Sequence, residues 1–303
     1  AFNIYPNTGS DVGVITPTQT ITIPPCQNRS FTFKSITLDV RPAITTEPAI
    51  RFDSCMMVDF DFRGQIGYGG IGNAVEFNGR TRLPYDAQVA IVDSHFRIDS
   101  IAYISNQGGT VATDSALVHF KSDCHRNTFS FNELNGSGFD ATTQTVTPLC
   151  YNGILLGNYG IIDNLFNVGS IHHVNTSGIQ IGTSTAAAVK GNDFRVGLIE
   201  CSEASTTAYA VNSYGQYNKF DFSTNNAAGD FEAAYKGHTS TVKGYVIIRK
   251  CEGNTATAEF TTGHNAHKTY IWNGTEGELL TPTNRVGKLI YDVGLNLTPT
   301  AGA

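Results

Sequence analysis

The chain has 303 residues, a formal net charge of −6 and only 15% charged residues. No basic cluster supplies the extended phosphate-binding face that nucleic acids require, and no apolar run reaches the roughly eighteen residues of a membrane-crossing helix. Gly, Asn, Ser and Thr are abundant and Lys is scarce, a composition that disfavours long exposed helices and suits strands and turns.

The first alternating segments are Ile21-Thr22-Ile23, Phe31-Thr32-Phe33 and Ile36-Thr37-Leu38, placed around the turn-forming Pro24-Pro25 and Asn28. They read as an opening coil. An in-out-in strand then recurs as Ala49-Ile50-Arg51-Phe52, Ala74-Val75-Glu76-Phe77, Leu117-Val118-His119-Phe120, Gly153-Ile154-Leu155-Leu156, Gly178-Ile179-Gln180-Ile181 and Ala208-Tyr209-Ala210-Val211, with Ala258-Glu259-Phe260 near the end. A second element recurs as Asn127-Thr128-Phe129, Asn164-Leu165-Phe166, Asn192-Asp193-Phe194 and Asn218-Lys219-Phe220, weakening to Gly244-Tyr245-Val246 and Lys268-Thr269-Tyr270. Its successive offsets are 37, 28, 26, 26 and 24 residues.

These segments alternate with period two and are rich in Phe, Ile and Val, so the repeat is a coil of strands and not a helical solenoid. Coils of roughly 22 to 28 residues, three short strands each, fit a parallel β-helix whose inward side chains stack from rung to rung. The recurring Asn suits the turns, where its amide tolerates unusual backbone angles and can bond to neighbouring rungs as a ladder. One elongated domain is expected over residues 1–276, with 277–303 as a cap or subunit contact, because a solenoid end must be covered. The six cysteines lack the paired short spacing of a zinc site and are too few for a disulfide scaffold, so free buried thiols are expected, with no metal and no cofactor.

The run Ile21-Thr22-Ile23-Pro24-Pro25, followed by Phe31-Thr32-Phe33 and the Asn-x-Phe rungs, resembles the pectate-lyase-like superfamily, and phage tailspike and tail-fibre depolymerases in particular. The resemblance implies a right-handed parallel β-helix, often a homotrimer, on a virion surface or in the extracellular space. It implies further that the chain binds and cleaves a bacterial surface polysaccharide with acidic residues on a strand face or between subunits. A noncatalytic glycan-binding fibre or adhesin, and a structural virion or surface protein, are the alternatives.

Inward positions are packed shut, so chemistry must use outward side chains that stack about 4.8 Å per rung. The first outward column reads Arg51, Glu76, His119, Leu155, Gln180, Ala210: either an acid and an imidazole exchanging protons beside a uronate-neutralising Arg, or a solvated charge ladder. Aligning Val168 with Val196 sets His172 beside Glu200, flanked by Asn135 and Asn226; His173 must face the other way or sit in a turn. Asp193 falls next to Lys219 and Arg195 next to Asp221, as a charge ladder or a sugar-binding strip. Asp59 and Asp61 share one strand face about 7 Å apart, within the range of an inverting glycosidase pair. Tyr214, Tyr217, Tyr245, Tyr270 and Trp272 are candidates for stacking on sugar rings or for a subunit interface.

Overall fold

The computed structural model of the chain describes residues 2–4, 13–40, 46–79, 90–104, 112–140, 145–148, 150–182, 188–201, 209–225, 231–238, 245–251, 254–260, 270–273 and 291–292. Among these residues every regular element is a strand. Twelve strands form one long sheet, thirteen form a second, and Ser137–Asp140 pairs with Thr145–Pro148 as a separate antiparallel hairpin. Both long sheets are parallel almost throughout, and neighbours in each come from successive coils, an all-β architecture compatible with a parallel β-solenoid. No helix among the described residues is long and apolar enough to cross a membrane.

One coil shows the pattern: Ile50–Asp53 and Cys55–Met56 lie in the second sheet and Asp59–Tyr68 in the long sheet. The second sheet is therefore forked. Its two branches are joined by the long strands Ala116–His125 and Asn152–Ile162, which bend at a register shift between Phe120 and Ser122 and run through both. Offsets between rungs range from 23 residues at Tyr235↔Ala258 to 44 at Asn78↔Ser122, wider than the expected 22 to 28. The additional residues fall between strands, so register along the rungs is kept.

Two inward columns of aromatic rings hold the coils together. In the long sheet Phe31, Phe60, Phe96, Phe129, Phe166, Phe194 and Phe220 align rung on rung, continuing as Val246 and Ile271. In the second sheet Phe52, Phe77 and Phe120 align, followed by Leu156 and Ile181. Beyond the opening rungs, where Phe31 and Phe60 are tilted by 48° and Phe60 and Phe96 by 38°, rings within a column stack nearly parallel: Phe52 on Phe77 at 4.8 Å, Phe77 on Phe120 at 4.8 Å and Phe166 on Phe194 at 4.3 Å. Rings of different columns meet edge to face, as Phe120 and Phe129 do at 4.6 Å and 70°. Both geometries set the positive ring edge near a negative face, worth about 0.5 to 1.5 kcal/mol per pair beyond the area buried.

The corner leading into the long sheet is held by a buried amide ladder. The Asn164 Oδ1 accepts from the Asn127 backbone N–H at 2.9 Å and from Asn127 Nδ2 at 3.0 Å, while Asn164 Nδ2 donates to the Cys124 carbonyl at 2.8 Å. Asn192 serves Asn164 in the same way, and Asn218 serves Asn192. Ser94 heads the ladder, taking the Asn127 carbonyl oxygen of the amide on its N–H and offering its Oγ to the Val58 N–H. The unusual backbone angles belong to the residue before each ladder position and not to the Asn itself: Met57, Asp93, Arg126, Asp163, Gly191 and Tyr217 all have φ between 50° and 71°.

Two register readings change. The long sheet pairs Val246 with Ile271, so Ile271, and not Tyr270, continues the Phe column. Gln180 pairs with Asn212, displacing Ala210 from the outward column, because Tyr209 aligns with Ser177 two residues earlier than expected. Of the expected cap at 277–303, only Tyr291–Asp292 lies among the described residues, and it pairs antiparallel with Tyr270 and Ile271.

Replacing Phe194 with Ala, which removes a ring stacked at 4.3 Å on Phe166 and 5.0 Å on Phe220, is expected to lower stability by about 3 to 5 kcal/mol. Asn164→Ala is expected to match it despite the smaller volume, since it strands the Asn127 N–H and the Cys124 carbonyl in the core at about 1 to 3 kcal/mol each. Denaturant unfolding measures both, and a loss below about 1 kcal/mol for Asn164→Ala would show that the ladder does not hold the corner.

Candidate functional site

The outward column of the second sheet forms with Arg51, Glu76 and His119 in consecutive rungs. Glu76 is only 2% exposed and is clamped by Arg51 Nε at 3.0 Å and Lys121 Nζ at 2.9 Å; Arg51 also reaches Glu47 at 3.0 Å. His119 does not bond to Glu76. Its Nδ1 accepts from Asn73 Nδ2 at 3.0 Å, an orientation fixed because Asn73 Oδ1 takes the Ala116 N–H. With its lone pair committed to a donor and its ring desolvated, the imidazole is held neutral, its pKa lowered to about 4 mainly by burial. Further along, Asn212 donates to Gln180 Oε1 at 2.8 Å, and its own oxygen lies 2.6 Å from His238 Nε2. Tyr214 stacks on His238 at 3.7 Å. The polar groups of this face are bonded to one another.

The long sheet presents a different surface. Its outward positions run Thr32, Asp61, Arg97, Ser130, Asn167, Arg195, Asp221, Ile247, Trp272. A groove of about 730 Å³ opens over the middle of this column, lined by His95, Arg97, Asp99, Ser130, Asn132, Asn167, Gly169 and Arg195 together with backbone of the inward residues. Ser130, Asn132 and Asn167 have no side-chain hydrogen bond among the described residues, and Asn132 is exposed. Gly169 and Gly197 leave the floor without side chains, and the backbones crowd there: a Cβ at Gly169 would lie 2.3 Å from the Asn132 carbonyl oxygen, and one at Gly197 equally close to that of Gly169. One guanidinium stands at each end. Arg97 leans on Asp99 at 3.2 Å and Arg195 on Asp193 at 3.2 Å, each with N–H groups to spare.

The remaining expected residues distribute around this groove. Asp59 and Asp61 share a face as read, Asp59 exposed and 3.4 Å from His95, Asp61 half-buried against Arg63 at 2.9 Å and Arg97 at 3.8 Å. Asp193 meets Lys219 at 3.4 Å as aligned, whereas Asp221 is bound by Arg249 at 2.8 Å and not by Arg195. His172 Nδ1 and Glu200 Oε2 are 2.5 Å apart, both partly exposed, on the same sheet as the groove. Asn135 lies in the preceding rung, but the next rung supplies Asn225, whose Nδ2 donates to Glu200 Oε1 at 3.3 Å, in place of Asn226. The register shifts by one beyond Arg195, which moves the pairing. His173 does not sit in a turn: its φ of 54° falls inside strand Leu165–Val174, where the register shifts between Ile171 and Val174. Tyr217 is 59% exposed at the corner. Trp272 follows Ile247 in register, and its side chain lies outside the described residues, as do those of Tyr245 and Tyr270.

Sequence reasoning missed Arg97, Asp99, Ser130, Asn132 and Asn167. A signal existed: the residue after each column Phe faces outward, and extending Arg195 upward through Phe166-Asn167, Phe129-Ser130 and Phe96-Arg97 gives the groove. The rung Ser94-His95-Phe96 escaped because Ser replaces Asn there. Comparison of the chain with protein-family models, curated proteins and solved structures returns no match.

The buried neutral His119 sets a pH dependence. Its pKa is about 6.5 unfolded and about 4 folded, so below pH 6.5 the unfolded chain binds the proton more readily. The stability it supports is full above pH 6.5 and is expected to fall as pH drops from 6.5 to 4. Denaturation midpoints of the native chain and His119→Gln, compared between pH 7 and 4, test this; the difference must shrink with acid, and a constant difference would contradict a neutral buried ring.

Proposed function

We propose that this chain is a right-handed parallel β-helix, of the pectate-lyase-like architecture, that binds an acidic polysaccharide along the outer face of its long sheet. The handedness follows from the strong general preference of parallel crossover connections. The observation that supports the binding reading best is the groove from Arg97 to Arg195, in which Ser130, Asn132 and Asn167 keep their hydrogen-bonding groups free. Unpaired amides and a hydroxyl suit sugar hydroxyls, and guanidinium N–H groups suit carboxylates. Rungs advance about 4.8 Å, near the length of one pyranose unit, so successive sugars can meet successive coils. Trimeric assembly and a cell or virion surface setting belong to the same proposal.

Cleavage is the second reading, and the contact between His172 and Glu200 favours it. A carboxylate that orients an imidazole can serve it in proton transfer at a sugar C5 or a glycosidic oxygen. Glu76 supports neither reading, being sealed between two cations.

Binding is tested by calorimetry of the full chain against uronate-containing and neutral polysaccharides. Arg97→Ala and Arg195→Ala are each expected to weaken binding of the acidic polymer about tenfold or more, the worth of one charged hydrogen bond. Unchanged affinity in both variants would remove the groove from consideration. New reducing ends, with ultraviolet absorbance for a lyase and without it for a hydrolase, would establish cleavage, and His172→Gln should abolish them while leaving affinity intact.

A further inference from the structure

The forked sheet brings two cysteines of different coils together. Cys26–Gln27 pairs with Cys55–Met56 in direct register, Cys26 opposite Cys55, and their Sγ atoms are 3.8 Å apart. Both are free thiols, Cys55 fully buried and Cys26 half-exposed. The next cysteine in this column, Cys124, is separated from Cys55 by the rung of Ile91, and Cys150 donates to the Asn152 carbonyl at 2.8 Å elsewhere in the core. Among the cysteines whose side chains are described, the pairing is thus specific to these two positions.

We propose that Cys26 and Cys55 are a site of disulfide formation that staples the opening coil to the second coil. Parallel neighbours in register lie about 4.8 Å apart at Cα, inside the usual 4.4 to 6.8 Å span of a disulfide. The sulfurs have to close from 3.8 Å to about 2.05 Å, a movement within reach of side-chain rotation. Cys26 is the attacking group because a reagent can reach it. Its pKa is lowered to about 7, mainly by the Cys55 thiol hydrogen bond with support from Arg29, whereas Cys55 is pushed far up.

With a small-molecule disulfide as oxidant, the Cys26 thiolate attacks one of its sulfurs and displaces a thiolate. The Cys55 thiol gives up its proton, its sulfur attacks Cys26 in the mixed disulfide, and a second thiolate leaves. Two electrons pass from the protein sulfurs to the reagent, which ends as two thiols.

The test incubates the full native chain with glutathione disulfide, alkylates the remaining thiols and maps peptides by mass spectrometry. The expected result is one linked pair, Cys26 with Cys55, and alkylation of the other cysteines, with a thermal midpoint that falls on reduction. Cys26→Ala, at the half-exposed position, should fold and lose that redox-dependent shift. Alkylation of both Cys26 and Cys55 after incubation, or glutathione left on Cys26 as the end product, would overturn the proposal.

Discussion

Everything in this chain depends on one coil lying on the next in fixed register, and at the sharpest corner that register is enforced by side-chain amides. A corner residue with positive φ turns its peptide groups out of line with the sheets, so backbone pairing alone would leave groups in the core unbonded. Asn127, Asn164, Asn192 and Asn218 supply the missing acceptors and donors, each bonded to both the rung before and a carbonyl of the corner. Left-handed backbone costs a non-glycine residue about 1 to 2 kcal/mol, and Met57, Arg126 and Tyr217 all accept it. The buried ladder is what offsets that strain.

Fixed register turns every strand position into a column, and columns explain why the two faces differ. On the forked sheet, successive outward residues are complementary: Arg51 with Glu76, Asn73 with His119, Gln180 with Asn212. Such a column is consumed by its own bonds. On the long sheet, Asn132 is followed by Gly169 and Gly197, which offer no side chain to answer it, and the neighbouring Ser130 and Asn167 are not bonded to each other. The second arrangement leaves polar capacity for something outside the chain.

The repeat was legible in sequence where one residue type recurs at one offset. Asn-x-Phe marked the ladder and the aromatic column together, and Ile50, Val75, Val118 and Ile154 marked the inward line of the other sheet. Reading failed where a bulge or substitution hid the phase. Ser94 does the work of Asn and dropped a rung from view; Tyr270 mimics the column aromatic that Ile271 provides; a shift beyond Arg195 moved Asn225 into the place given to Asn226. Because the strand period is two, a slip of one residue reverses the face, whereas the slip of two at Ala210 kept the face and mistook only the neighbour. Burial was the other hidden quantity. Glu76 reads as an outward acid, and only packing reveals that two cations enclose it.

That last point separates the candidate carboxylates on physical grounds. An acid that works on a polymer must be reachable and must exchange its proton during turnover. Glu76, 2% exposed and clamped by Arg51 and Lys121, fails the first requirement, since no polymer can reach it between its two cations. Asp61 is half-buried between Arg63 and Arg97, which casts it as an anchor for the groove arginine. Glu200 differs in kind, because its partners are an imidazole and an amide and neither carries a fixed charge. Asp59 beside His95 at 3.4 Å is of the same kind, so the proton chemistry proposed for this surface has two carboxylate–imidazole contacts to draw on, of which His172 with Glu200 is the closer.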